Sequence, residues 1–271
     1  MHGRGDPAII ARVTVDVNVA HNARVWDYWL GGRENYEVDR RVGDEIIGMF
    51  PGIVQIARDD RQFLARAVTH LAGEAGVTQF LDIGTGLPTA NNTHEVAQRL
   101  VPGARVVYVD NDPLVLAHAR ALLVSGAGGI TDYVDADAHD PDAILHAAAK
   151  TLDFGRPVAI MLLGILNFIL DTARAEDVVR RLLDAVPAGS YVALTHPTHE
   201  LGGAANVEAI RHWNRKATPP LTCRGRAEIS RFLRGLDVLE PGLVSCSRWR
   251  PAPDRPHPPE VAQYGAVGRK P

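Results

Sequence analysis

Cysteine is scarce in this sequence, with two residues among 271, Cys223 and Cys246. Their spacing matches no pair of metal ligands, so they predict no metal site. No apolar run is long enough to span a membrane, and Arg4, Asp6 and Arg12 interrupt the early apolar residues, so no signal peptide is expected. We therefore expect a cytoplasmic protein with reduced thiols and no membrane partner.

An excess of charge of one sign is also missing, since 29 basic residues are balanced by 32 acidic ones and the net charge is −3. Nucleic-acid binding would then need a local basic patch. Arginines cluster between Arg224 and Arg234, but Glu228 and apolar residues interrupt them, which predicts a solvated helix face. The composition is that of an ordinary globular protein with no nucleic-acid partner.

A glycine-rich loop follows an apolar run that ends in an acid. Asp82 is the acid of this run, and Gly84, Thr85 and Gly86 follow after Ile83. A second β-rich run ends in Asp110. This pattern is typical of the first two strands of a nucleotide-binding α/β sheet, in which the loop approaches the ligand closely and the second acid binds a ribose diol.

The charge of the loop favours S-adenosylmethionine over NAD as the cofactor. A dinucleotide fingerprint has a third glycine at the helix start, where this chain has Thr89. Asp82 would repel a pyrophosphate but attract the ammonium of a methionine moiety. The open alternatives are a protein that binds S-adenosylmethionine without catalysis, an NAD-dependent oxidoreductase, and a tight turn with no ligand.

Alternation of strands and helices predicts a doubly wound, mostly parallel α/β sheet. The predicted strands are Gln79–Ile83, Arg105–Asp110, Thr131–Asp135, Val158–Leu163 and Tyr191–Thr195. The helices between them are Thr93–Leu100, Pro113–Ser125, Asp140–Leu152 and Ala175–Val186. Three short pieces near the end predict an antiparallel edge, at Leu236–Leu239, Val244–Ser247 and Gln263–Val267. Earlier helices are expected at Asn22–Leu30, Tyr36–Met49 and Val54–Gly73.

The ends of the later strands supply further residues that are candidates for binding the cofactor. Asp110 and its neighbour Asn111 are predicted to bind the cofactor, with Asp110 on the ribose. Asp137 is predicted to accept the adenine amino group, and the backbone N–H of Ala138 to meet a ring nitrogen. Gly164 permits close approach at the reactive end of the cofactor.

Three side chains are candidates for the chemistry itself. Asn167 is a polar residue in an apolar run, and it either touches the methyl acceptor or caps a helix. His196 and His199 follow the fifth strand, and the pKa of histidine suits a general base. A metal site built from these histidines and Glu200 has no supporting cluster, so no metal is predicted. Residues 205–221 form an insertion that either walls an acceptor pocket or is a surface helix.

The chain closely resembles a family of bacterial S-adenosylmethionine-dependent methyltransferases that was long catalogued as a domain of unknown function. The resemblance covers nearly all residues from about Val17 onward. Its strings are Ala23-Arg24-Val25-Trp26-Asp27-Tyr28-Trp29-Leu30-Gly31-Gly32, Phe80-Leu81-Asp82-Ile83-Gly84-Thr85-Gly86-Leu87-Pro88-Thr89, Val106-Val107-Tyr108-Val109-Asp110-Asn111-Asp112-Pro113 and Glu240-Pro241-Gly242-Leu243-Val244.

This resemblance implies a class I methyltransferase fold, a seven-stranded Rossmann-like sheet over residues 76–271 with an insertion around 197–222. It implies that residues 1–75 form a helical lid, with four lid residues near the cofactor: Tyr28, Gly31, Asn35 and Tyr36. Many members carry a histidine where this chain has Asn167. The resemblance does not supply the methyl acceptor; our first hypothesis is transfer to a small molecule. The oligomeric state stays open, with a homodimer as one option.

Overall fold

The computed structural model describes residues 15–122 and 128–271, so the predicted helix end at Ser125 lies outside the described residues. The helices are α1 Asn22–Trp29, α2 Glu37–Met49, α3 Gly52–Thr69, α4 Thr93–Leu100, α5 Pro113–Leu122, α6 Pro141–Ala148, α7 Thr172–Asp184, α8 Gly203–Lys216 and α9 Arg226–Arg231. A π-helical turn, His70–Glu74, extends α3. Two 3₁₀ turns are present at Leu166–Phe168 and Cys246–Arg248.

The strands are β1 Ala20–His21, β2 Gln79–Ile83, β3 Arg105–Asp110, β4 Ile130–Asp135, β5 Ala159–Leu163, β6 Tyr191–Pro197, β7 Ala217–Thr218, β8 Asp237–Val238, β9 Val244–Ser245 and β10 Gln263–Arg269. The main sheet has the order β4-β3-β2-β5-β6-β10-β8, and β9 pairs with β10 beside this path. Strands β2 to β6 are parallel, whereas β10 is antiparallel to both β6 and β8. The predicted doubly wound fold with an antiparallel C-terminal addition is confirmed.

Successive side chains of each strand point to opposite faces of the sheet, and both faces are apolar. On one face Leu81, Val107 and Ile160 belong to a core that includes residues of α6, α7 and α9. On the other face Phe80 and Val106 pack in a core with α3, α4 and the fully buried Trp249. Both faces are covered, as a parallel sheet requires. The strand order reverses between β2 and β5, and ligands of such sheets bind at the carboxyl ends of strands near this point.

A separate layer, here called the cap, lies over those carboxyl ends and consists of α1, α2, α8 and the parallel pair β1–β7. Val25, Ile46 and Trp213 form its apolar core, to which α3 contributes Ala57. Helix α3 also packs on the sheet through Phe63. The helical N-terminal region is therefore divided between cap and core, and the insertion after β6 completes the cap.

A buried ion pair fixes the start of the cap. The Arg24 guanidinium donates from Nε to Asp39 Oδ2 at 2.8 Å, and the two side chains are 3% and 0% exposed. Asp39 also accepts hydrogen bonds from the backbone N–H groups of His21 and Tyr36. These contacts satisfy both carboxylate oxygens, so this part of the family signature holds the cap together.

The described helices include none that combines the length and apolar composition needed to cross a bilayer.

Candidate functional site

One cavity lies between the carboxyl ends of the sheet strands and the cap, and its lining falls into two halves. The loop half comes from the segment after β2, namely Asp82, Gly84, Thr85, Gly86, Leu87 and Thr89. The cap half is apolar and includes Trp26, Leu30, Phe50, Ile53, Ile210 and Trp213. The exit of β5 lines the cavity with Gly164, Asn167 and Phe168. The predicted loop and β5 residues are thus brought together.

The glycines of the site have different physical roles. Gly84, Gly86 and Gly164 all have positive φ, at +77°, +64° and +60°. A Cβ at Gly84 would lie 2.5 Å from Cδ1 of Ile165, so this glycine allows the loop to pack on the β5 exit. A Cβ at Gly86 or Gly164 would meet no atom within 4 Å. Open space beside these two backbones is what close approach of a ligand requires.

Asp82 is a buried acid that lines the loop half, with 5% of its side chain exposed. Burial raises the pKa of its carboxyl to about 6, although a hydrogen bond from Thr93 Oγ1 at 2.6 Å and the charge of Arg61 act in the opposite direction. A carboxylate held in such a place is stabilised by a cation. The geometry therefore agrees with a positively charged ligand portion beside β2.

Asp110 lies beside the loop half but does not line it. Its Oδ2 accepts from Gly86 N–H and its Oδ1 from Asp112 N–H, both at 2.9 Å. A carboxylate has about four lone-pair positions, so room remains for two ribose hydroxyls. Asp112 also accepts from Leu114 N–H at 2.8 Å, at the start of α5.

Asn111 and Asp137 meet at the ends of neighbouring strands, with Asn111 Nδ2 donating to Asp137 Oδ2 at 3.3 Å. Asp137 Oδ1 accepts from the N–H of His139 at 2.8 Å. Ala138 packs against the core below. These three predicted cofactor residues lie at the same edge as Asp110, because Asp110 and Asp135 are register partners, but they do not line the cavity.

Asp60 is a site residue that sequence reasoning missed. It lines the cavity from α3, is 6% exposed, and its Oδ1 accepts from Gln263 Nε2 at 2.6 Å. Gln263 Nε2 also donates to Thr195 Oγ1 at 3.2 Å. Burial raises the pKa of the Asp60 carboxyl, and the hydrogen bonds from Thr195 and Gln263 lower it by less. The cap half thus meets the sheet at a buried carboxyl held by the last strand.

Asn167 lies in the 3₁₀ turn after β5 and is 3% exposed. Its Oδ1 is buried and has no hydrogen-bond partner among the described residues, and the residue is part of the cavity lining. Buried polar atoms are nearly always paired in native proteins, so this carbonyl oxygen is a candidate acceptor for a donor on a ligand. The alternative of a helix cap is not seen for this side chain, because the turn has no side-chain cap.

The two predicted histidine bases lie away from the cavity lining. His196 is fully buried, its Nδ1 is 2.8 Å from the carbonyl oxygen of Pro197, and its Nε2 is 2.8 Å from Arg224. Burial and the positive charge of Arg224 lower the pKa of His196 to about 3, despite the contact with Pro197. With Nδ1–H donating and Nε2 accepting, no lone pair is free for a substrate proton. His199 is exposed on the loop after β6. The geometry does not support either residue as the base.

The four predicted lid residues also lie outside the cavity lining. Tyr28 donates its hydroxyl to Asp44 at 2.6 Å on the outer side of α2, and the side chain of Asn35 donates to Asp27 at 2.8 Å. Gly31 ends α1 with φ +83°, and Tyr36 precedes α2 and is 38% exposed. Their neighbours Trp26, Asp27 and Leu30 are among the cap residues that do line the cavity.

No group of three or more His, Cys, Asp or Glu side chains in the described residues is arranged to hold a metal ion. The donor set of the cavity, which combines open glycine backbone with buried carboxyls, instead fits an organic cation.

Comparison with known proteins agrees with this geometry. A model of the S-adenosyl methyltransferase family matches residues 9–271. A DUF574 family protein from Streptomyces avermitilis is 43% identical, with a TM-score of 0.91, and the match covers 94% of this chain and 99% of that one. A candidate methyltransferase from Thermobifida fusca is 41% identical, with a TM-score of 0.86 and coverage of 94% and 96%. No curated protein sequence matches the chain.

A distant structure shares the fold alone. The N-methyltransferase NodS from Bradyrhizobium japonicum, solved with S-adenosyl-L-homocysteine, is 12% identical, with a TM-score of 0.50 and coverage of 92% and 99%. The predicted class I fold and the predicted cofactor, S-adenosylmethionine, are confirmed. The chain belongs to the S-adenosyl methyltransferase family and is an enzyme that uses S-adenosylmethionine.

Proposed function

We propose that the protein transfers the methyl group of S-adenosylmethionine to a small molecule bound in the cap half of the cavity. The observation that carries the proposal is the continuity of one cavity from the open glycine backbone to the apolar cap. S-adenosylmethionine supplies an electrophilic methyl group on a sulfonium. The chain supplies a site for each reactant and a cap that keeps water away from the reacting atoms.

The loop half is proposed to hold the cofactor. Asp82 would pair with its ammonium, and the backbone from Gly84 to Gly86 would lie against it, with Thr85 between the two glycines. Asp110 would accept the ribose hydroxyls. Asn111, Asp137 and Ala138 remain the proposed adenine contacts, since they lie at the same edge of the sheet.

Gly164 and Asn167 are proposed to lie at the reactive end, where the exit of β5 separates the two halves. In-line displacement requires the acceptor atom about 3 Å from the methyl carbon, opposite the sulfur. The cap half is the part of the cavity that lies beyond this exit. Its apolar walls would orient the acceptor and leave few alternative hydrogen-bond partners for it.

The proposal is tested by binding and turnover together. S-adenosyl-L-homocysteine should bind in isothermal titration calorimetry, and Asp110→Asn should weaken it by about 1.5–3 kcal/mol, the scale of a hydrogen bond to a charged group. Asp135→Asn is the matched control, because Asp135 is the register partner of Asp110 on β4 but is exposed. Labelled methyl groups should pass from S-adenosylmethionine to small molecules in a metabolite extract. Label found only in protein, or equal binding by both variants, would refute the proposal.

A further inference from the structure

The cap half of the cavity selects acceptors by its chemistry. Its walls include the aromatic side chains Trp26, Phe50 and Trp213, and Phe168 faces it from the β5 exit. Flat aromatic ligands pack well against such rings, whereas strongly hydrated ligands lose water without compensation. The walls therefore favour a flat and largely apolar acceptor.

Two hydrogen-bond acceptors belong to residues that line this apolar space where it meets the sheet. Asn167 has a buried oxygen with no partner within the described residues. Asp60 on α3 has a buried carboxyl that Gln263 holds through Oδ1 at 2.6 Å. Thr195 connects their surroundings, because its carbonyl accepts from Gly164 N–H at the β5 exit and its hydroxyl accepts from Gln263. The unpaired oxygen of Asn167 calls for a donor on the ligand, and the Asp60 carboxylate can accept one.

The charge around the cavity argues against an anionic acceptor. Asp60 and Asp82 both line it, and the nearest cation in the lining is Arg61. The Arg61 guanidinium donates to the backbone carbonyls of Ala90 and Asn91 at 3.2 and 3.3 Å, so it is engaged on the side of the loop half. A carboxylate in the cap half would face Asp60 without a partner.

We propose that the methyl acceptor is a flat aromatic molecule whose ring hydroxyl or ring amine donates to Asp60, which acts as the general base, while a second hydrogen, on the same amine or on a neighbouring hydroxyl, donates to Asn167. This inference rests on the proposed methyl transfer. The acceptor heteroatom forms a bond to the methyl carbon as the carbon–sulfur bond breaks, its electron pair stays on sulfur, and the acceptor proton passes to the Asp60 carboxylate. The products are the methylated acceptor and S-adenosylhomocysteine.

The surroundings of Asp60 suit this role. Burial makes the carboxylate a stronger base than an exposed aspartate, since it raises the pKa of the group. Gln263 fixes the orientation of the carboxylate from β10. Asn167 accepts a hydrogen bond but carries no charge, so its contribution is to position the acceptor.

The first experiment uses a panel of one-, two- and three-ring aromatic compounds, each prepared with a hydroxyl, an amino or a carboxylate group on the same ring. Binding to the full chain in the presence of S-adenosyl-L-homocysteine is measured by quenching of tryptophan fluorescence, because Trp26 and Trp213 line the cap half of the cavity. The hydroxyl or amino series should quench, and should be methylated with S-adenosylmethionine. The inference is overturned if no panel compound binds, or if the carboxylates bind as tightly.

The second experiment compares Asp60→Asn with Asp59→Asn. Asp59 is equally buried, but its Oδ1 is 3.2 Å from Arg255, and it does not line the cavity. Asp60→Asn should slow methyl transfer by about 10² or more and remove the acidic limb of the pH–rate profile, with the affinity for S-adenosyl-L-homocysteine unchanged. Asp59→Asn should keep the profile.

The outcomes separate the two proposals. Absence of S-adenosyl-L-homocysteine binding in the unmodified protein would defeat the proposed function. Binding with an unchanged pH–rate profile in Asp60→Asn would leave methyl transfer in place and overturn only the acceptor assignment. Asn167→Ala gives an independent measurement, since it should raise the acceptor KM more than it lowers kcat.

Discussion

The two halves of the cavity are built in different ways. The loop half comes from one short stretch of chain after β2 and presents mostly backbone, with Gly86 open to the cavity. The cap half is assembled from side chains of the consecutive helices α1, α2 and α3 and of α8, which is distant from them in the sequence. The shape of the loop half therefore depends on the local backbone conformation of one loop, whereas the shape of the cap half depends on how four helices pack together.

The largest effect is expected from breaking the cap alone. Asp39→Ala would leave Arg24 buried without its partner, which costs about 3–5 kcal/mol. The urea midpoint should fall accordingly, and acceptor turnover should be lost before the sheet unfolds. Glu37→Ala, an exposed acid on the same helix, should change stability by less than about 0.5 kcal/mol. Equal losses in both variants would show that the ion pair does not hold the cap.

The loop half should show the next effect, as a pH dependence of stability. The pKa of Asp82 rises from 3.8 to about 6 on folding, so the folded state binds this proton more tightly than the unfolded state. Its contribution favours folding below pH 4 and is lost as the pH rises through 6, by about 3 kcal/mol at most. Urea titrations of the ligand-free protein at several pH values should show this slope, and Asp82→Asn should lack it. If the stability of the unmodified protein and of Asp82→Asn changed with pH in the same way, the raised pKa assigned to Asp82 would be contradicted.

A pair of glycine substitutions separates strain from ligand contact. Gly86 and Gly235 both have positive φ, and a Cβ on either would meet no atom within 4 Å. Alanine at either position should therefore cost a similar 1–2 kcal/mol, approximately the strain of the left-handed conformation. Only Gly86→Ala should weaken S-adenosyl-L-homocysteine, by about tenfold or more, or about 1.4 kcal/mol. Calorimetric titration of the two variants checks this, and equal affinities would place the cofactor elsewhere.

The smallest effect is expected at the outer side of the cap. His212 Nε2 on α8 lies 2.7 Å from Glu45 Oε2 on α2, and the glutamate is 40% exposed. Glu45→Gln should lower the unfolding free energy by at most about 1 kcal/mol, since exposed ion pairs contribute little. The loss should shrink in high salt. A thermal unfolding series in rising salt would detect it, and a loss as large as that of Asp39→Ala would be contrary to the buried-versus-exposed argument.

Local sequence predicted the sheet well because its signals are local. Strands β2 and β3 occupy the predicted residues, since each is a short apolar run with an acid at or next to its last residue. Helix α4 also has the predicted bounds, with Glu95 accepting from the N–H of Asn92 at its start. The loop between them follows from its glycines, and Asn167 was recognisable as a polar residue within an apolar run.

The rest of the site depends on contacts that no local pattern reveals. Asp60 lies in a charged run on α3 that is typical of an exposed face, and its partner Gln263 is 203 residues away. The position of His196 near the end of a strand predicted a general base. In the structure Arg224, which follows the insertion, bonds to its Nε2. The four lid residues came from the family resemblance, which carries no contacts; in the structure Tyr28 and Asn35 bond to Asp44 and Asp27 within the cap and do not line the cavity.

The contact between Gln263 and Asp60 affects the order in which the two halves of the cavity can form during synthesis. Gln263 is the first residue of β10, yet it orients a carboxyl that lies on a helix 203 residues earlier in the chain. A nascent chain emerging from the ribosome can already contain the glycine loop and its neighbouring strands. The acceptor pocket, in contrast, is complete only after β10 has been synthesised and has inserted beside β6.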